Sequence, residues 1–179
     1  GTCLNVGCIP SKSILDSSER FFSANKHFSE HGIHFNNVNF DIKKMMERKD
    51  KIVKQTCNVL NFLMKKNKID IYKGIASFQN KYTITVNSDK SSNEIQSEYF
   101  IIATGSKPTE LPGIKNDKKR IISSTQAFSL KEVPNELIII GGGVIGIELG
   151  SVYARLGTKI KVLEYSDCLI NSFDKSLSK

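Results

Sequence analysis

Two cysteines five positions apart, Cys3 and Cys8, sit in the run Gly1-Thr2-Cys3-Leu4-Asn5-Val6-Gly7-Cys8-Ile9-Pro10-Ser11-Lys12, whose residue types suit thiol chemistry. In a regular helix five residues rise about 7.5 Å, whereas a disulfide needs Cα atoms within about 7 Å. The two sulfurs therefore bridge only where the helix start is distorted, and Gly7 and Pro10 suit such a start. A bridge closing so small a loop adds little stability, so redox cycling accounts for it better than stapling. Lys12 and a helix N-terminus would both lower a thiolate pKa. Two unlinked structural cysteines and a zinc centre are the other readings of the spacing. For zinc, His27, His31 and His34 offer no recognised ligand pattern.

The second chemical run is Gly141-Gly142-Gly143-Val144-Ile145-Gly146, a G-x-G-x-x-G sequence. Its context is what such a loop needs: an apolar strand before it, a helix after it, and Glu164 at the end of the next strand. Gly141 permits the tight turn, Gly143 lets the backbone approach a pyrophosphate, and Gly146 allows close helix–strand packing. The helix start offers free N–H groups to the phosphates. Glu164 would accept hydrogen bonds from ribose hydroxyls and repel a 2′-phosphate, so NAD is expected over NADP.

Among the elements that hold these runs, Cys8 to Phe28 reads as a helix. Asp41 is an N-cap for a second helix, with Ile42, Met45, Met46, Ile52, Val53, Leu60 and Leu63 forming an apolar stripe expected to pack in a core. Strands are expected over Ile69–Phe78, Lys81–Val86 and, buried, Tyr99–Ala103, with a polar turn over Asn87–Asn93. Pro108, Pro112, Gly113 and the charged run Lys115–Arg120 mark a surface connection, and Lys131–Pro134 a linker. Glu136–Ile140, Val144–Leu156 and Lys159–Glu164 then form strand, helix and strand, the start of a βαβ unit.

Composition narrows the partners. The chain has 179 residues, 39% hydrophobic and 25% charged, with no run approaching the ~20 apolar residues of a membrane helix. Its net charge of +8 comes from 22 scattered Lys and four Arg, whereas bidentate nucleic-acid recognition favours Arg. An AT-rich coding sequence accounts for the lysines, and neither a nucleic acid nor a membrane is expected as partner. Four cysteines are too few for a secreted disulfide scaffold.

The Gly1–Lys12 run resembles the active-disulfide signature of the pyridine nucleotide–disulfide oxidoreductases. Ile101-Ile102-Ala103-Thr104-Gly105-Ser106 is similar to the second FAD motif of that family, and Gly141–Glu148 with Glu164 to its NAD motif. The resemblance implies an α/β chain: part of an FAD-binding domain with a β-meander insertion over residues 1–133, then the start of a Rossmann-type NAD-binding domain over 134–179. It implies that Cys3 exchanges with a dithiol substrate and that Cys8 lies against the flavin. Lys12 would stabilise the thiolate and the reduced flavin, and Glu148 would pair with Lys12. Gly1, Thr2, Cys3, Lys12, Ala76, Thr104, Gly105 and Ser106 would meet FAD; Gly141, Gly142, Gly143, Val144, Ile145, Gly146, Ile147, Glu148 and Glu164 would meet NAD. No metal site is implied.

Within the family, glutathione and trypanothione reductases carry Lys where Ser11 stands, and mercuric reductases carry Val where Leu4 stands. The resemblance is therefore to the branch that oxidises dihydrolipoyl groups. It implies as partners the lipoyl domains of 2-oxo acid dehydrogenase complexes or the glycine cleavage H-protein, and a homodimer. The implied location is a mitochondrial matrix or plastid in a eukaryote and the cytoplasm in a bacterium. The first FAD glycine motif is expected upstream of Gly1, and a dimerisation domain with a His–Glu acid/base pair beyond Lys179. Other disulfide reductases of the family, and a non-catalytic nucleotide-binding protein, are the competing readings.

Overall fold

The computed structural model describes residues 1–178, so Lys179, the last residue of the expected second domain, lies outside the described residues. The elements run α1 (Thr2–Val6), α2 (Cys8–Lys26), a 3₁₀ turn (Phe28–His31), α3 (Ile42–Lys66), β1 (Ile75–Asn80), β2 (Thr83–Asn87), β3 (Ser92–Gln96), α4 (Ser124–Ala127), β4 (Glu136–Ile140), α5 (Val144–Arg155) and β5 (Lys159–Leu163). They form an α/β chain that separates into two units, residues 1–56 with 106 onward, and Cys57–Gly105. No helix among the described residues is long and apolar enough to cross a membrane.

In the first unit α2 and α5 pack side by side. Ile14 on α2 meets Leu149, Val152, Tyr153 and Leu156 around α5, and Met46, Ala127 and Phe128 complete the core. The parallel strands β4 and β5 pair from Glu136 with Lys159 to Ile140 with Leu163. Their alternation turns Leu137 and Ile160 against that core and leaves Ile138 and Ile140 more than half exposed. Gly146 lets α5 approach the loop before it, because a Cβ there would lie 2.3 Å from the Gly141 carbonyl oxygen and 3.0 Å from Ile139. Polar anchors secure the edges of the core. The buried Lys49 ammonium donates to the Phe128 carbonyl at 2.8 Å, and Arg48 donates to Asp16 at 2.8 Å and to the Ser13 carbonyl at 2.9 Å.

The second unit holds a three-stranded antiparallel meander, β1-β2-β3. Alternating Thr and Ile/Val in β2 make it the central strand, with Thr83 and Val86 buried. The second half of the hairpin was not expected. β3 occupies part of the predicted polar turn, and only Ser88–Ser91 turns, tied by Ser88 N–H to the Ser91 carbonyl at 2.8 Å. Ser92-Asn93-Glu94-Ile95-Gln96 carries one apolar residue, so backbone pairing with β2 makes it a strand where side-chain pattern does not.

Three expectations need correction. The first predicted strand begins at Ile75 rather than Ile69, since no strand among the described residues pairs with Ile69–Gly74. Tyr99–Ala103 is neither a strand nor buried: Tyr99 is 84% and Ile101 94% exposed, because no other described strand pairs with it. The α3 stripe reaches the core only at its N-terminal end, through Ile42, Met45 and Met46, while Leu60 and Leu63 are exposed. The cap of that helix is as expected, with Asp41 Oδ1 accepting the Lys44 N–H at 3.1 Å.

Candidate functional site

Cys3 and Cys8 form a disulfide whose Cα atoms are 4.6 Å apart. A continuous helix would separate them by about 7.5 Å along its axis alone; the chain breaks between α1 and α2 at Gly7, which shortens the span. Both cysteines are exposed, so a dithiol can reach either sulfur. Cys8 is the first residue of α2, where free N–H groups and the positive dipole end favour a thiolate once the bridge opens. Ser11 donates its hydroxyl to the Cys8 carbonyl at 3.1 Å.

One turn on, Lys12 donates to Glu148 of α5, linking positions 136 residues apart. A second pair repeats the link: Arg155 Nη2 forms an ion pair with Glu19 Oε2 at 2.5 Å, and its guanidinium lies over the Phe22 ring. Both partners step seven residues in the same direction, 12 to 19 on α2 and 148 to 155 on α5, so the helices run parallel. Their N-termini share one end of the unit, which places the disulfide and the glycine loop at that same end and turns two positive dipole ends toward it.

The glycine loop has the conformation its sequence implies. Gly141 takes φ of +106°, and Gly143 caps α5 with nothing within 4 Å of where a Cβ would be. Gly143, Val144 and Ile145 are exposed, and the first-turn N–H groups of α5 lack helical partners. This open cradle beside free N–H groups fits a dinucleotide pyrophosphate. Gly146 and Ile147 lie inward, and Ile147 N–H bonds the Gly143 carbonyl at 3.0 Å.

Glu164 follows β5 beside the loop. Its carboxylate accepts the Ser166 N–H at 2.8 Å and the Gly142 N–H at 2.5 Å, and these bonds hold it below the usual carboxylate range. The acidic group that a ribose diol requires is therefore ionised and adjacent to the loop. Leu169 and Ile170, which sequence reasoning passed over, also lie against Gly142. Nothing in their residue types signals that position.

Of the residues expected to meet the flavin, Thr2 and Ser106 come together: Ser106 N–H donates to Thr2 Oγ1 at 3.3 Å. The exposed Gly1 and the Cys3–Cys8 bridge adjoin them in the chain. A hydroxyl, backbone amides and an exposed disulfide at a helix start form a donor set that fits a flavin dinucleotide. In the other unit, Ala76 on β1 pairs with Val86 on β2, and Thr104 and Gly105 are exposed, with Gly105 at φ of +80°. His27 caps the far end of α2, about 28 Å from Cys8 by helix rise, and His31 and His34 follow it in the chain.

Dihydrolipoyl dehydrogenase of Pisum sativum mitochondria is 41% identical over 180 residues, covering all of this chain and 36% of that protein. Leghemoglobin reductase of Vigna unguiculata is also 41% identical, with coverage of 100% and 34%. The crystal structure of LpdA from Mycobacterium tuberculosis shares the fold, with a TM-score of 0.85 at 21% identity over 93% of this chain and 37% of that one. The chain thus spans about a third of the length of the curated relatives it matches. The family model described as pyridine nucleotide-disulphide oxidoreductase matches residues 1–179, and the chain belongs to that family.

Proposed function

We propose that the full-length protein is a dihydrolipoyl dehydrogenase, using Cys3, Cys8, FAD and NAD+ to oxidise protein-bound dihydrolipoyl groups. The observation that carries this reading is the exposed Cys3–Cys8 bridge at the start of α2, beside the glycine loop at the start of parallel α5. A substrate thiolate attacks Cys3 Sγ, and the bridge breaks with Cys8 leaving as a thiolate. The second substrate thiol then displaces Cys3, closing the lipoyl disulfide. Two electrons and two protons have left the substrate, and both cysteines are reduced.

Lys12, held by Glu148, and the α2 dipole favour the Cys8 thiolate. FAD, when bound at Gly1, Thr2, Cys3, Lys12, Ala76, Thr104, Gly105 and Ser106, supplies the two-electron link between the dithiol and NAD+. Residues 141–148 orient NAD+, and Glu164 takes its ribose hydroxyls and disfavours a 2′-phosphate. The sum is dihydrolipoyl plus NAD+ giving lipoyl, NADH and a proton. On this reading residues 1–133 belong to the FAD domain and 134–179 to the NAD domain. The partners are a second subunit and lipoyl domains or the H-protein, in mitochondria or plastids of a eukaryote or the cytoplasm of a bacterium.

The test is NAD+ reduction by dihydrolipoamide in the full-length protein. Cys8→Ser should lower turnover on the order of a thousandfold or more, as loss of a nucleophilic group does. Unchanged turnover would remove the cysteine mechanism, and a faster reaction with NADPH and glutathione would transfer the protein to another branch.

A further inference from the structure

We propose that the turn after β5 is a clamp that holds the dinucleotide loop in its binding conformation before any ligand arrives, with Glu164 and Ile170 as its positioning residues. The proposal rests on the dinucleotide reading of the loop and adds to it a positioning role for Glu164, besides its ribose contact, and for Ile170, which need not touch the ligand.

Gly142 is buried and held on three sides. Its N–H donates to Glu164 Oε2 at 2.5 Å, and its carbonyl accepts the Ile170 N–H at 2.9 Å. A Cβ on it would lie 2.4 Å from Leu169 Cδ2. The other oxygen of Glu164 takes Ser166 N–H, so one carboxylate ties the loop to the turn.

Ile170 supplies an independent observation. It sits at φ of +49°, a region that a β-branched residue rarely enters. Such strain persists where surrounding contacts over-determine it. Its N–H is spent on Gly142, and its carbonyl accepts Phe173 N–H at 2.9 Å and Ser178 Oγ–H at 3.2 Å. The strained backbone thereby aims one N–H at the glycine loop. With the Gly142 amide and carbonyl both satisfied internally, the loop does not rearrange to receive pyrophosphate, and the N–H groups of the following residues remain for the phosphates.

The test measures NADH binding to the full-length flavoprotein by NADH fluorescence, with flavin content as the folding control. Ile170→Pro removes the donor and, with its ring fixing φ near −65°, also excludes the +49° backbone that aims it; it should weaken NADH binding roughly tenfold with flavin content unchanged. Ile170→Gly keeps the donor, accepts φ of +49° without strain, and should rescue the affinity to within about twofold. Because the proline variant can fail to fold, hydrogen exchange on the ligand-free wild type is the second measurement: the amides of Gly142 and Ile170 should be protected. Unprotected amides, wild-type affinity in Ile170→Pro, or an Ile170→Gly defect as large as the proline one would each overturn the clamp. Absence of NADH binding in the wild type would overturn the dinucleotide reading and the clamp together, whereas failure of the clamp alone leaves wild-type binding intact.

Discussion

Tyr153 is fully buried, and its hydroxyl donates to the Ala127 carbonyl across 26 residues of sequence. Burial pushes its phenol up to about 12. The folded state therefore holds this proton more tightly than the unfolded chain does. The associated stability is complete below the ordinary value near 10 and is lost as pH rises through 12. Tyr153→Phe leaves the Ala127 carbonyl without its donor and should cost about 1–2 kcal/mol in denaturant unfolding at neutral pH. It should also flatten the fall in stability above pH 10. Glu164 works with the opposite sign. The Ser166 and Gly142 N–H groups lower its pKa, so its contribution is full above the ordinary 4.5 and disappears as pH falls below that. Acid melting curves of Glu164→Gln should lack this part of the decline.

The parallel pairing of α2 and α5 is the element on which the site depends, and two ion pairs one heptad apart mark its register. Lys12 is 62% exposed, so Lys12–Glu148 should couple by only about 0.5 kcal/mol in a double-mutant cycle. The Arg155 side chain is less exposed and also covers Phe22, so Arg155→Ala should cost more, about 1 kcal/mol, through lost packing as well as charge. Exchanging the charges as Glu19→Arg with Arg155→Glu should recover less than the full loss, because a carboxylate does not replace the guanidinium over the ring. Recovery to wild-type stability would show that the ion pair alone sets this contact. α4 offers a smaller lesson: Gln126 Oε1 accepts both the N–H and the hydroxyl of Ser123, a Ser-x-x-Gln capping pattern present in the sequence that the strand-and-linker reading overlooked.

At the scale of the whole molecule, the eight buried residues of the first unit's apolar core, among the described residues, contrast with a long series of exposed ones, including Ile75, Tyr99, Ile101 and Ile102, each more than 70% accessible. Exposed apolar surface on this scale promotes association. The 179-residue chain by itself should therefore form concentration-dependent oligomers by light scattering. It should also fail to reduce NAD+ with dihydrolipoamide: its histidines follow the far end of α2 and cannot serve as acid or base at Cys3. Turnover by the isolated chain would refute that expectation.

The sequence by itself determined the local units: the glycine turn between Ile140 and Val144, the Asp41 cap, and the break at Gly7 that a short Cys–Cys span required. These follow from backbone allowance, periodicity and capping, which act over a few residues. The family resemblance implied the pairing of Lys12 with Glu148, which the structure shows, but only the tertiary structure decided that Thr2 meets Ser106 and Ile170 meets Gly142. It also made a strand of the polar β3 and left the apolar Tyr99–Ala103 without one, because a strand exists through its hydrogen-bonded neighbour, and side-chain pattern does not reveal whether that neighbour is there.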